Sequence, residues 1–229
     1  MVGFGERPKG LPHETPTYGA DAMREKTAIA VIVALAMVVP VAGCGGGSTS
    51  TTTTSQPKET AQKLPKLPPG WKARRDRTVG YAIGVPTGWE VQGHRGRSVL
   101  FRSPDHLVAV TLTAARDARV FSVPLEKFAA QALGGLPGFK VPLNPGKPKP
   151  FEGTPLVAVQ TSASGTQAGG LEERATLVVL RRDHLVNYTV AVLENAKQHG
   201  AELDRAVATR MIKTLRDQPV KGSKPGSKK

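Results

Sequence analysis

The sequence predicts an α+β domain in which an antiparallel β-sheet packs against helices. Several short segments alternate apolar and polar residues with a period of two, which is typical of strands with one buried face. Two longer segments carry an apolar face at helical spacing. These segments occur in the order strands, helix, strands, helix, and that order favours a sandwich of sheet and helices over a parallel α/β fold.

The predicted strands begin with an alternating segment that carries Tyr81 and Ile83, flanked by Val79 and Val85. Turn residues at 86–88 then lead into a second strand, which contains Trp89 and Val91. Alternation predicts the remaining strands at 98–102, 107–114, 155–164, 172–181 and 185–194, with a weaker one at 139–141.

Two helices interrupt these strands. Ser122 is the predicted N-cap of the first helix, whose apolar face consists of Leu125, Phe128, Ala129 and Ala132, and Gly134 with Gly135 ends it. In the second helix, apolar residues recur at every fourth position: Leu203, Val207, Met211 and Leu215. Each helix therefore has one face to bury against the sheet.

The N-terminal part of the chain resembles the export signal of a bacterial lipoprotein. Arg24 and Lys26 precede an apolar run at 28–42 of about 15 residues, shorter than the roughly 20 of a membrane-spanning helix. The run ends in Val-Ala-Gly-Cys at 41–44, which resembles a lipobox. The resemblance implies cleavage between Gly43 and Cys44, a diacylglycerol on the Cys44 sulfur, and a second acylation of the new amino group. We therefore expect a lipid-anchored protein on the outer face of the cell membrane.

These features divide the chain into five parts. Residues 1–22 are predicted to be a non-native or disordered extension, because Met23 with the basic residues after it is the better start of a signal. The signal peptide covers 23–43, a flexible linker rich in Gly, Ser, Thr and Pro covers 44–70, the α+β domain covers 71–216, and a disordered basic tail covers 217–229.

The charge of the chain favours anionic partners. There are 32 Lys and Arg against 18 Asp and Glu, a net charge of +14. Anionic lipids, wall polymers and nucleic acid all fit this charge, but export removes access to nucleic acid. A basic cluster at the start of the domain is a candidate contact with the membrane surface or simply a solvated run: Trp71, Lys72, Arg74, Arg75 and Arg77.

Two Asp-His pairs occur in a near-repeat, Asp105-His106-Leu-Val and Asp183-His184-Leu-Val. Brought together, they could hold a metal ion in an envelope hydrolase or metal-dependent enzyme, whereas as turn residues they would only reverse the chain. The turn interpretation is favoured, because no further ligand lies nearby. The sequence also lacks a G-x-S-x-G, a P-loop and a dinucleotide-binding motif.

The domain resembles the PsbP-like group of exported proteins, which includes LpqN-type and DcrB-type lipoproteins. The resemblance lies in GYAIGVPTGWE at 80–90, SVPLEKF at 122–128 and MIKTLR at 211–216. It implies a noncatalytic domain without a cofactor that binds an envelope protein or lipid, and we expect a monomer. A wall spacer is a further possibility, and the aromatic residues Trp89, Phe101, Phe128 and Tyr188 could form the core or line a lipid cavity.

Overall fold

The computed structural model describes residues 61–183, 185–198 and 200–220, without the side chains of His94, Arg95 and Ala118. The signal peptide, Cys44 and His184 lie outside the described residues. Two α-helices and ten strands occur in the described part: β1 (Trp71–Asp76), β2 (Tyr81–Pro86), β3 (Glu90–Arg95), β4 (Ser98–Arg102), β5 (Val108–Ala115), α1 (Leu125–Gly134), β6 (Lys149–Pro150), β7 (Val157–Thr166), β8 (Glu172–Arg182), β9 (Val186–Asn195), α2 (Ala201–Thr214) and β10 (Arg216–Asp217).

The strands form two antiparallel sheets, which confirms the predicted α+β class. The large sheet has the order β3-β4-β5-β9-β8-β7-β6, and the small sheet has the order β1-β2-β10. Two meanders, β3 to β5 and β6 to β9, meet where β5 pairs with β9 in the middle of the large sheet. The segment that contains α1 makes the crossover between the two meanders.

Alternation along the central strands creates a hydrophobic core on each face of the large sheet. In β8, Val178 and Leu180 belong to one core, while Leu177 and Val179 belong to the other. The first core also contains residues of α2 and β2, and the second contains the buried face of α1. The two helices therefore cover opposite faces of the sheet, and the central strands have no solvent-facing side at their middle.

The Pro- and Lys-rich segment at 143–151, which we name the strap, crosses the outer edge of β7. Leu143 at its start belongs to the second core, and Phe151 at its end belongs to the first. Between them, the Gly146 amide donates to the Ser162 carbonyl at 3.0 Å, and the Thr161 hydroxyl donates to the Gly146 carbonyl at 2.7 Å. Its last part forms β6, the edge strand of the large sheet. The strap is therefore anchored at both ends, by Leu143 in the second core and by Phe151 in the first.

The ordered domain extends beyond the predicted limits of 71 and 216. Gln62, assigned to the flexible linker, donates its amide to the Asp217 carbonyl at 3.1 Å. Asp217, assigned to the disordered tail, is fully buried and pairs with Tyr81 of β2. Both boundaries were wrong because they rested on polar composition. Composition does not reveal that a polar residue such as Asp217 is buried as the partner of an ion pair.

The helix predictions also need correction. Leu203 is 75% exposed, whereas Ala208 and Ile212 are buried with Met211. A repeat of four residues advances about 40° past a full turn each time, so it drifts off one face within three repeats. Ser122 does not cap α1 either. Its hydroxyl donates to the Arg119 carbonyl at the end of a 3₁₀ turn, and α1 begins after Pro124.

The weak strand predicted at 139–141 was wrong in extent. Only Phe139 makes a β-bridge there, to Gln167. The other strands that were predicted with both limits are confirmed within two residues at each end, and Ser98–Arg102 matches at both ends. The strand predicted to contain Trp89 and Val91 begins at Glu90, so it contains Val91 and not Trp89.

Candidate functional site

A groove of about 450 Å³ lies on the first-core side of the large sheet. The strap forms one wall and α2 forms the other. Strands β7, β8 and β9 form the floor between these walls. Its lining residues are Gly146, Lys147, Lys149 and Phe151 of the strap, Gln160, Thr161, Ser162, Arg174, Thr176, Val178 and Val192 of the floor, and Arg205, Thr209 and Ile212 of α2.

The floor of the groove changes from apolar to polar along the strands. The antiparallel register places Gln160 beside Val178, Ser162 beside Thr176, and Ser164 beside Arg174 in successive rows of one face. Val178 lies in the first of these rows and Val192 lies beside Thr176 in the second, and both belong to the first core together with Phe151 and Ile212. The groove therefore has an apolar end continuous with the core and a polar end at the edge of the domain.

Basic side chains surround this floor. Lys147 and Lys149 come from the strap, Arg174 from β8 and Arg205 from α2. The Lys213 ammonium lies 5.9 Å from the centroid of the Phe151 ring, within cation–π range. Five cationic side chains from the strap, β8 and α2 thus lie on or beside one groove. Strand pairing and the packing of α2 bring them together, although these three elements are far apart in the sequence.

At the polar end, Glu194 ties two of these cations together. Its Oε1 atom accepts a hydrogen bond from Arg205 Nη1 at 3.1 Å and lies 3.7 Å from Arg174 Nη1. A smaller pocket of about 160 Å³ continues the groove here and is lined by Ser164, Glu194 and Glu202 among others. The shared carboxylate holds both guanidinium groups beside the groove.

The basic cluster predicted to contact the membrane lies on β1, an edge strand of the small sheet. Lys72, Arg74, Arg75 and Arg77 are exposed. Trp71 is half-buried and packs against the first core. An alanine Cβ at Gly84 would come within 3.2 Å of the Trp71 ring, so this side chain covers the backbone of β2. Charged residues on an edge strand also discourage pairing with another chain. Membrane contact by this cluster stays a prediction.

The structure does not bring the two Asp-His pairs together. Asp105 and His106 precede β5, and Asp183 precedes β9; these strands are antiparallel, so their starts lie at opposite ends of the pairing. About 24 Å of strand separates the two ends. His106 and Asp183 both have positive φ, 61° and 43°, as turn residues. A single site that uses both pairs therefore does not form, whatever the position of His184, which follows Asp183 directly.

Asp105 instead pairs with an acid of α2. Burial pushes the pKa of Asp105 upward, but hydrogen bonds from the Ser103 hydroxyl and the Leu107 amide outweigh it and hold the pKa below its usual range. Burial and the Asp105 carboxylate together raise the pKa of Asp204. The two acidic side chains therefore link the loop before β5 to α2.

The described residues show neither a cluster of three or more His, Cys, Asp or Glu side chains that could hold a metal ion, nor a helix long and apolar enough to cross a membrane. The four aromatic residues considered as cavity lining are core or core-packed: Trp89, Phe101, Phe128 and Tyr188. Phe151 is the aromatic residue that does reach the groove, and it was not among them.

Sequence reasoning missed the groove because its residues come from the strap, three strands and a helix. The signals that were present are local. Lys147 and Lys149 alternate with prolines, which predicts an extended segment, and Glu194 follows a run of buried apolar positions in β9. A charged side chain within a buried strand is costly unless an opposite charge pairs with it, so Glu194 indicated a basic partner close by.

No family model matches the sequence, and the search of curated proteins gave no match. Similar solved structures include a protein from Bacteroides thetaiotaomicron VPI-5482, with 12% identity and a TM-score of 0.46 over 68% of this chain and about half, 51%, of that protein. LpqN of Mycobacterium tuberculosis, described as involved in cell envelope biogenesis, has 14% identity and a TM-score of 0.43 over 65% of this chain and 91% of its own.

Cyanobacterial PsbP from Synechocystis sp. PCC 6803 has 14% identity and a TM-score of 0.38, with 65% of this chain and 92% of its own covered. At these identities and TM-scores, the neighbours assign neither a family nor a function to the chain.

Proposed function

We propose that this protein is an exported, lipid-anchored protein whose noncatalytic domain binds an anionic amphiphilic lipid of the cell envelope. The observation that carries the proposal is the groove between the strap and α2, with an apolar end and a basic border. Its volume of about 450 Å³ lies in the range of small-molecule sites.

The apolar end suits an acyl chain. Val178, Val192 and Ile212 line it together with the Phe151 ring. Each methylene that leaves water for such surroundings contributes about 0.8 kcal/mol, so a short stretch of chain is enough for specific binding. A soluble anion would gain nothing from this part of the groove.

The basic border suits a phosphate or carboxylate at the head of the same molecule. Lys147, Lys149 and Arg174 approach the groove from two sides, and each cation close to an anionic head group contributes about 1 kcal/mol. An acidic protein segment would use the same charges but would leave the apolar end unfilled. For that reason we favour a lipid over a protein as the ligand.

Filling the groove tests the proposal. Thr209 lines the groove in the middle of α2, and Ala206 on the same helix is exposed and is not among the lining residues. We expect Thr209→Trp to weaken binding of dihexanoyl phosphatidylglycerol at least tenfold, because the indole occupies the space of the acyl chain, while Ala206→Trp changes it less than threefold. Calorimetric titration of the whole chain in phosphatidylcholine nanodiscs measures both.

Equal binding by the two tryptophan variants would place the lipid elsewhere, and an absence of binding by the wild type would refute the function. Preferential capture of an acidic peptide over the short-chain lipid would favour the protein ligand.

The anchor has a separate test at Cys44, which lies outside the described residues. We expect Cys44→Ser to abolish labelling with an alkyne fatty acid and to leave unprocessed precursor, because serine lacks the thiol that accepts the diacylglyceryl group. Immunoblots and click detection of membrane fractions measure this. Continued labelling of the serine variant would contradict lipidation at this position.

A further inference from the structure

The polar end of the groove points to the class of head group. We propose that the small pocket at Glu194 recognises a phosphodiester head group that carries hydroxyl donors, so that the ligand is a polyol phospholipid. This inference rests on the proposed lipid binding and adds a specificity to it.

The first observation is an incomplete set of hydrogen bonds on Glu194. The residue is only 4% exposed, and its Oε1 atom serves both arginines. Its Oε2 atom is buried and accepts no hydrogen bond from the described residues. A buried carboxylate oxygen without a donor costs free energy, and such groups in native proteins call for an explanation. A hydrogen-bond donor on the ligand would provide the missing partner of Oε2.

The second observation is the pocket into which this carboxylate is built. It has a volume of about 160 Å³ and is continuous with the groove through Arg174 and Arg205, which line both. Arg174 lies directly opposite Glu194 in the β8–β9 register, and its side chain is 47% exposed. A ligand phosphate that pairs with this partly exposed guanidinium lies in the same pocket as the Glu194 carboxylate, so one ligand engages both groups.

Charge balance selects a hydroxyl over an ammonium as the donor. Glu194 and Glu202 face Arg174 and Arg205 in the pocket, and the salt bridges leave no net negative charge for a second cation. A neutral hydroxyl donates to Oε2 without displacing either arginine, and a hydrogen bond to a charged acceptor is roughly twice as strong as one between neutral groups.

Two short-chain lipids with the same charge test this assignment. Dihexanoyl phosphatidylglycerol carries two head-group hydroxyls, and dihexanoyl phosphatidylmethanol carries none. We expect the whole chain in phosphatidylcholine nanodiscs to bind the glycerol lipid about tenfold more tightly. In Glu194→Gln, the amide oxygen keeps the contact with Arg205 and the amide nitrogen replaces Oε2, so the preference falls below threefold.

Glu202→Gln is the matched control, since it makes the same charge change at the exposed mouth of the pocket and should keep the preference. Ser164→Leu fills the pocket from its exposed border without altering Glu194, and we expect it to lose the preference even if Glu194→Gln folds poorly.

The outcomes separate the two proposals. Equal binding of both lipids by the wild type would overturn the head-group assignment and leave the proposed function standing, and a tenfold preference retained by Glu194→Gln would also overturn it. If neither lipid binds, the proposed function itself fails.

Discussion

Replacing Asp217 with alanine is expected to destabilise the domain by about 3–5 kcal/mol, because it removes the shared partner of two partly buried cations. Arg116 Nη2 lies 3.0 Å from Oδ1, and Arg182 Nη1 bonds Oδ2. The Tyr188 hydroxyl also donates to Oδ1 at 2.6 Å. Asp217 itself is fully buried. Urea unfolding followed by circular dichroism measures the loss.

Glu172→Ala provides the control. Glu172 lies 3.1 Å from Lys197 in an ion pair whose side chains are 53% and 73% exposed, so its removal should cost no more than about 1 kcal/mol. Through Asp217, the last strand of the small sheet is bonded to residues of the large sheet and its flank. A loss of stability below about 1 kcal/mol for Asp217→Ala would contradict a stabilising role for these bonds.

Asp217 also illustrates where sequence reasoning stops. Seven of the ten strands in the described part of the chain were located because each one is a local pattern, whereas β1, β6 and β10 were not predicted. The central run Leu177-Val178-Val179-Leu180 is buried on both faces and lies within the strand predicted at 172–181. Asp217 follows the last helix in a polar, Pro- and Lys-rich context, and no local pattern reveals partners that lie about a hundred residues earlier.

The groove was hidden for the same reason. Arg174, Glu194 and Arg205 become neighbours only through the register of β8 with β9 and the packing of α2 on that face. The strap adds a second obstacle. It makes only two ladder pairs with β7, Lys149 with Gln160 and Pro150 with Val159, too few for a periodic signal. The Pro- and Lys-rich composition of the strap predicted only an insert, whereas its hydrogen bonds to β7 hold it as one wall of the groove.

The strap therefore gives the second prediction. Lys147 and Lys149 are exposed on the strap and line the groove, so reversing both charges replaces two attractive contacts with two repulsive ones. At about 1 kcal/mol per cation near an anionic head group, we expect Lys147→Glu with Lys149→Glu to weaken binding of dihexanoyl phosphatidylglycerol by about 10- to 100-fold. Calorimetric titration of the whole chain measures the change.

The control keeps the net charge change and moves it to the other face of the sheet. Lys127 of α1 and Lys140 are exposed on the second-core side of the large sheet. Layers of a fold pack about 10 Å apart, and the Debye length at physiological salt is about 8 Å. Salt therefore screens these two charges from a ligand in the groove. Lys127→Glu with Lys140→Glu should therefore change the affinity less than threefold. Equal losses in the two double variants would mean that the lipid responds to the overall charge of the domain, and the groove would then lose its role in recognition.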